Sequence, residues 1–228
     1  MVYALALLAA LLIGAGYLLG LRRARSHEGT FETTPDERTP KLTLVERELL
    51  RHNDIDPVTG LHTQQYFQEF LEREWRRASR DRQCVGVVMI EIDDFRAFNE
   101  RQGKAEGDAC LKRIAEALQS IIHRPGDAIA RYGGAGKFGI VLGGTDRKGA
   151  MILAERLRIA VENLRQPNPA SSTTPLLTAS LGVAAARPDR EGAWQDIELI
   201  AYSERALAEA RESGRNTVTM DTHSAAVS

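Results

Sequence analysis

The sequence is poor in the residues that mark several protein classes. Its 228 residues hold only two cysteines, Cys84 and Cys110. Two thiols are too few for a disulfide framework, and with no histidine at ligand spacing beside them they make no zinc motif; both are expected in the core. Charge of one sign is lacking as well, since 30 Lys and Arg against 31 Asp and Glu leave a net charge of −1. Without surplus cations to neutralise a phosphate backbone, general nucleic-acid binding is excluded. Internal repeats and low-complexity tracts are missing, which removes solenoids and arrays. Long uncharged apolar runs are confined to one place, residues 2–21.

What remains has the composition of a folded protein, 43% hydrophobic and 27% charged. The run at 2–21 is long enough to cross about 30 Å of hydrocarbon as a helix. Arg22, Arg23 and Arg25 follow it directly. A secretory signal would carry its positive charge before the run and a small-residue cleavage site after it, and neither is present. The positive-inside tendency then predicts a single-pass anchor with the rest of the chain in the cytoplasm. Gly16 and Gly20 have the spacing of a helix-dimer contact. Residues 22–41, rich in Thr, Glu and Pro, read as a flexible tether. Leu42, Val45, Leu49 and Leu50 then mark an amphipathic stalk helix at 42–55. A domain follows at 56–220, and the tail at 221–228 reads as disordered.

Within the domain, apolar periodicity predicts a helix at 66–80 and a β-branched strand at 84–92. A helix at 107–122 comes next, then short strands at 128–131 and 138–142 around a glycine-rich tip. Helix 146–164, strand 176–185, helix 196–213 stopped by Gly214, and a short edge strand at 217–220 complete the order. This alternation suits an α+β fold, a central, mostly antiparallel sheet flanked by helices as in ferredoxin-like palms, preceded here by one transmembrane helix.

Several stretches in this domain belong together. They are Asp56-Pro57-Val58-Thr59-Gly60-Leu61; Glu91-Ile92-Asp93-Asp94-Phe95-Arg96-Ala97-Phe98-Asn99, with Gly103, Gly107 and Asp108 after it; Arg131-Tyr132-Gly133-Gly134; and Ala206-Leu207, Ala210-Arg211, Gly214-Arg215-Asn216. In this order and spacing the domain resembles the GGDEF domains, bacterial nucleotide cyclases that condense two GTP molecules to cyclic di-GMP. The resemblance implies the cyclase-type palm and places the anchor in the bacterial inner membrane. It also assigns guanine contacts to Asn99 and Asp108, and triphosphate contacts to Arg211 and Arg215. The chemistry is reasonable: a carboxylate accepts from guanine N1–H and N2–H₂, and an amide pairs with its other polar atoms. The plain alternatives are a turn for Asn99, a helix N-cap for Asp108, and a surface ion pair with Glu204 or Glu212 for the arginines, which stand four apart on one expected helix face.

Family catalysis, as the resemblance implies it, uses two divalent metals held by acids on the first strand and in the hairpin turn. At the first place this sequence has Glu91 and Asp93 as metal-ligand candidates. At the second the signature acids are replaced: Gly133-Gly134 is followed by Ala135, Gly136 and Lys137, with one residue too many before Phe138. A cation-repelling lysine and a missing carboxylate act in the same direction, so a catalytically inactive domain is expected. A P-loop does not explain the turn, because Arg131 stands where its first glycine should be and Phe138 where its Ser/Thr should be. A metal-free phosphate contact by Lys137 and the glycine amides remains as an expectation.

The segment Arg124-Pro125-Gly126-Asp127 matches the product-binding Arg-x-x-Asp of the family, and Arg156 matches a further contact, with Ile152 where a charged companion would stand. A guanidinium can donate to guanine O6 and N7 while a carboxylate accepts from its Watson–Crick edge; an exposed ion pair is the plain alternative. The expected function is therefore a membrane-anchored cyclic di-GMP receptor acting through an unidentified protein partner. The alternatives are an active diguanylate cyclase and a GTP-binding or scaffold module without catalysis. No cofactor is implied beyond the Mg²⁺ that the cyclase alternative requires.

Overall fold

The computed structural model describes residues 54–188 and 195–221. The expected anchor, tether, most of the stalk helix and the tail after Asp221 lie outside the described residues. Of the stalk stretch only Asp54, in a bend, and Ile55, bridged to His62, are described. No helix among the described residues is long and apolar enough to cross a membrane.

The elements follow in the order α1 (Gln64–Asp81), β1 (Val85–Ile92), α2 (Phe95–Gln102), α3 (Lys104–Gln119), β2 (Asp127–Arg131), β3 (Lys137–Gly143), α4 (Arg147–Asn163), β4 (Ala179–Ala186), α5 (Asp196–Glu212) and β5 (Val218–Met220). The strands form a sheet in the order β2-β3-β1-β4-β5. All pairs are antiparallel except β4 with β5, so the sheet is mixed at one edge. This is the palm expected from the alternation of elements.

Strand pleating sorts the apolar residues onto two faces. Val88, Ile90 and Ile92 of β1 join Phe138, Ile140 and Leu142 of β3 under α3 and α4. Val85, Val87 and Met89 point the other way, toward Phe67, Leu71 and Leu207 of α1 and α5. Because both faces are covered, β1 reads as a continuous apolar run rather than an alternation. Each of these fully buried side chains contributes about 1.5–3 kcal/mol. At Gly182 of β4 the fit allows no side chain: a Cβ would lie 2.1 Å from both the Leu207 nitrogen and the Ser203 oxygen of α5.

The Asp56–Leu61 motif is a closed turn. The Asp56 carboxylate accepts from the Thr59 amide at 2.9 Å and its hydroxyl at 2.6 Å, and Gly60 takes φ +71°. It seats Leu61 in the core and brings the His62 carbonyl to the Arg131 amide, 2.7 Å away, extending the β2 edge.

The helical region after β1 departs from expectation. It is two helices, α2 and α3, separated at Gly103 (φ +86°), and α3 starts at Lys104 rather than 107. Gly107 is thus a buried position inside α3 and not part of a turn. β4 starts at Ala179; Leu176 makes only an isolated bridge to Pro167.

Candidate functional site

Three groups of polar residues surround this frame. The first lies at the carboxyl end of β1, a cleft of about 310 Å³ lined by Glu91, Asp93, Asp94, Ala135, Arg211 and Arg215. Arg211 reaches it from the last turn of α5. Arg215 does not share that helix face: the helix ends at Glu212, and Gly214, Arg215 and Asn216 all take positive φ, reversing the chain toward β1. The two arginines nonetheless meet in the cleft, and neither pairs with Glu204 or Glu212. Arg211 Nη1 is 3.3 Å from Glu91 Oε2, and Arg215 Nε is 3.7 Å from Asp94 Oδ1.

The acids of this cleft are already engaged. Asp93, 4% exposed, accepts from the Ser180 hydroxyl and the Thr178 hydroxyl, each at 2.7 Å, and from the Asn216 amide at 3.1 Å. It ties β1, β4 and the turn after α5 together. Asp94 accepts from the amide and hydroxyl of Ser172, both at 2.9 Å. Burial pushes the Asp94 carboxyl up, but the Ser172 and Ser171 hydrogen bonds and the Arg215 charge outweigh it and hold the group below the usual carboxylate range. Glu91 is paired with Arg211, Asp93 accepts three hydrogen bonds, and Ala135 and Gly136 stand in the turn after Gly133-Gly134. Among the described residues no group of three or more His, Cys, Asp or Glu side chains fits a metal ion.

The hairpin tip makes contacts of its own. Lys137 stands opposite Glu91 in register, but its ammonium lies 3.8 Å from Glu204 on α5. The Gly133 amide donates to Gln64 Oε1 at 3.0 Å, so it is not free for a phosphate. Gly136 carries its carbonyl to the Ile92 amide at 2.9 Å, and a side chain there would press on the Phe95 ring. The turn is a structural clamp between α1, β1 and α2.

The second group comprises Asn99 of α2 and Asp108 of α3. The Gly103 break folds the two helices so closely that a Cβ on Gly107 would fall 1.8 Å from Asn99 Oδ1. The carboxamide thus lies over Gly107, and its Oδ1 is buried without a hydrogen-bond partner. Asp108 sits inside α3, whose N-cap is Gly103, so it is not a capping residue. Arg131, whose role beyond the motif was not legible in the sequence, supplies the local cation. Burial pushes its guanidinium down, while Asp56 and Asp108 favour its charge. It is fixed by donation to the Lys137 carbonyl at 2.8 Å and by the Phe138 ring, 5.0 Å away.

The third group lines a cleft of about 370 Å³ with Arg124, Asp127, Thr145, Gly149, Ile152 and Arg156. The Asp127 amide donates to the Arg124 carbonyl at 2.9 Å, closing the turn, and the Gly143 amide pins it by donating to Gly126 O at 2.8 Å. Arg156 and Ile152 come from the outer face of α4, Ile152 being 55% exposed. The three expected contacts therefore share one cleft. Asp127 Oδ1 is buried without a partner. Burial raises the Asp127 carboxyl above its usual range; Arg124 and the Gly143 backbone counter this in part, and Glu74 adds to it. Glu74 escaped sequence reasoning because nothing local links α1 to this turn.

Comparison with known proteins gives consistent results. The family model described as "Diguanylate cyclase, GGDEF domain" matches residues 53–217. The probable diguanylate cyclase DgcT of Escherichia coli K12 is 34% identical over 165 residues, covering 72% of this chain and 35% of that protein. Diguanylate cyclase A of Treponema denticola is 30% identical over 210 residues, covering 89% of this chain and 55% of the relative. The chain thus spans about a third to about half the length of these curated relatives. Among solved structures, the GGDEF domain of DgcB from Caulobacter crescentus with c-di-GMP shares the fold, with a TM-score of 0.65 at 22% identity over 74% of this chain and 95% of that one. The diguanylate cyclase SiaD of Pseudomonas aeruginosa, solved with its activator SiaC, gives a TM-score of 0.63 at 25% identity over 95% of this chain and 79% of SiaD.

Proposed function

The chain belongs to the GGDEF family of diguanylate cyclase domains, and from that premise we propose that it is a receptor for cyclic di-GMP that does not make the nucleotide. The observation that carries this reading is the third cleft. Its half-buried Asp127 carboxylate has an oxygen without a donor, and Arg124 and Arg156 are in no ion pair among the described residues. A guanine ring supplies what is lacking: N1–H and N2–H₂ for the carboxylate, O6 and N7 for a guanidinium. At the first cleft the acids needed for two metals are absent or engaged, so turnover of GTP is lost.

The receptor acts from the bacterial inner membrane through the apolar segment at 2–21, its domain on the cytoplasmic side, and passes occupancy to a protein partner. A complex of the related SiaD with an activator protein supports the idea of such a partner. Calorimetric titration of cyclic di-GMP into the full chain in detergent tests the reading. Micromolar or tighter binding that Arg124→Ala abolishes is expected; absence of heat from folded wild-type protein overturns it. Incubation with GTP and Mg²⁺ or Mn²⁺ is expected to yield no cyclic di-GMP beside an active control.

A second reading is favoured by one further observation, the unpartnered Asn99 Oδ1 over Gly107. In this reading Asn99 and Asp108 hold the guanine of GTP without turnover. Loss of GTP binding in Asn99→Ala is the expected result, and an unchanged affinity refutes it.

A further inference from the structure

On the outer face of α4, exposed apolar side chains alternate with cations that make no ion pair among the described residues. Lys148, Ile152, Arg156 and Ile159 recur at helical spacing, opposite the buried Ala150, Ala154, Leu157 and Val161. They form an exposed stripe about 16 Å long. Single exposed isoleucines are ordinary, but two on one stripe make a patch. Both carboxylates of α4, Glu155 and Glu162, are taken by Arg158 at 2.8 and 3.0 Å, so they do not balance Lys148 and Arg156. Asp146, at the helix start, is engaged by the Gly149 amide at 2.8 Å. In total α4 holds four cations against two carboxylates, whereas α5, packed on the other face of the sheet, holds five carboxylates against two cations. The remaining long helices, α1 and α3, are balanced. The domain is thus polarised across its sheet, positive on the α4 side.

We infer that this face docks on an anionic lipid surface, with Ile152 and Ile159 between the headgroups and Lys148 and Arg156 at their phosphates. An anionic leaflet favours each nearby Lys or Arg by about fivefold, and the isoleucines leave water at the headgroup boundary. The inference rests on the anchor proposed at 2–21, which supplies such a surface at high effective concentration, so that a weak contact suffices. A second copy of the chain fits less well. It offers a complementary charge only on its α5, and because α4 and α5 cover opposite faces of the sheet, that contact builds an open chain rather than a closed pair. Ile152 and Arg156 also line the third cleft, so Lys148 and Ile159, which do not, carry the test.

The full chain is assembled into nanodiscs of brominated phosphatidylglycerol or brominated phosphatidylcholine, and Ile159→Trp reports lipid contact as fluorescence quenching beyond that of wild type. Quenching is expected in the phosphatidylglycerol discs and not in the phosphatidylcholine ones. Adding Lys148→Glu is expected to lower the docked-to-free ratio by about tenfold or more, since two units of charge change. Ile197→Trp, at the exposed start of the acidic α5, is expected to stay unquenched. Equal quenching in the two lipids, equal quenching at the two positions, or no quenching of an Ile159→Trp protein that retains its circular dichroism overturns the inference. A blue shift without quenching, in discs that hold two chains, gives the face to a second copy and overturns it as well. Retention in the discs reports the anchor separately. If the chain is not retained, the anchor reading fails, and flotation with phosphatidylglycerol vesicles decides the face: flotation lost in Lys148→Glu supports it, and no flotation or an unchanged variant refutes it.

Discussion

Replacing Gly107 by alanine sets two effects of similar size against each other and separates stability from binding. Gly107 lies inside α3, where alanine is favoured over glycine by about 1 kcal/mol. The new Cβ would lie 1.8 Å from Asn99 Oδ1 and 2.9 Å from its Cγ, which no contact tolerates. The obstacle is the end of a rotatable side chain, so the structure responds by turning the Asn99 carboxamide away. Such a displacement costs about 1–3 kcal/mol by the scale of other overpacked sites. The sum is a small net change, within about 2 kcal/mol of zero, measured as the urea midpoint. GTP binding behaves differently. With the amide turned away the guanine loses a polar contact, and affinity falls by about tenfold or more. Gly107→Ala, Asn99→Ala and the double variant are then expected to show the same loss, because the two changes remove one interaction. Additive losses, or a Gly107→Ala protein that binds GTP like wild type, refute the role given to the carboxamide.

Three further outcomes follow from other sites. Gly182→Ala brings a Cβ to 2.1 Å from backbone atoms of α5, which cannot rotate aside, so it is expected to cost at least about 3 kcal/mol; a thermal shift equivalent to less than about 1 kcal/mol contradicts the contact. Asp93→Ala strands the buried hydroxyls of Thr178 and Ser180 and the Asn216 amide, an expected loss of about 3 kcal/mol in urea; millimolar Mg²⁺ is expected to leave the wild-type melting temperature unchanged, and a rise argues for a donor set at this cleft. Asp127 has a folded-state pKa raised by burial, so between the ordinary carboxylate value and that raised value the native state holds more protons than the unfolded state. Its charge therefore costs stability fully above the raised pKa and nothing below the ordinary one: Asp127→Asn is expected to stabilise at neutral pH, with the gain vanishing in acid. Cyclic di-GMP, which needs the charged form, is expected to bind more weakly as pH falls through the raised value. A pH-independent affinity refutes the carboxylate's part.

Much of the architecture was legible from local patterns. The β-branched run of β1, the glycine-tipped hairpin, and the amphipathic α4 and α5 appear within a few residues of their expected bounds, because each is specified by its own apolar period. The separation of α2 from α3 was not legible: Gly103 and Gly107 look alike in sequence, yet one turns the chain and the other makes room for Asn99. At the sites, Arg124, Asp127 and Arg156 share a cleft as expected, and so do Glu91, Arg211 and Arg215. What escaped was pairing across long separations. Nothing near Asp93 announces that Thr178, Ser180 and Asn216 will occupy it, and nothing near Gly133 announces Gln64. Those contacts depend on which strands become neighbours, and only the folded sheet decides that.

The central place of β1 also sets the order in which the protein can be made. Val85 pairs with Gly143 on one side and with Ala186 on the other, so the strand leaves the ribosome long before either neighbour exists. Such non-local pairing is slow and leaves apolar edges open in the meantime. The Asp93 knot closes last, because Asn216 is among the final residues of the domain to be synthesised. A chain stopped before Asn216 therefore carries every helix of the palm together with Arg211 and Arg215, yet lacks the Asn216 bond to Asp93. Truncation near the carboxyl terminus is accordingly expected to yield a degradation-prone species.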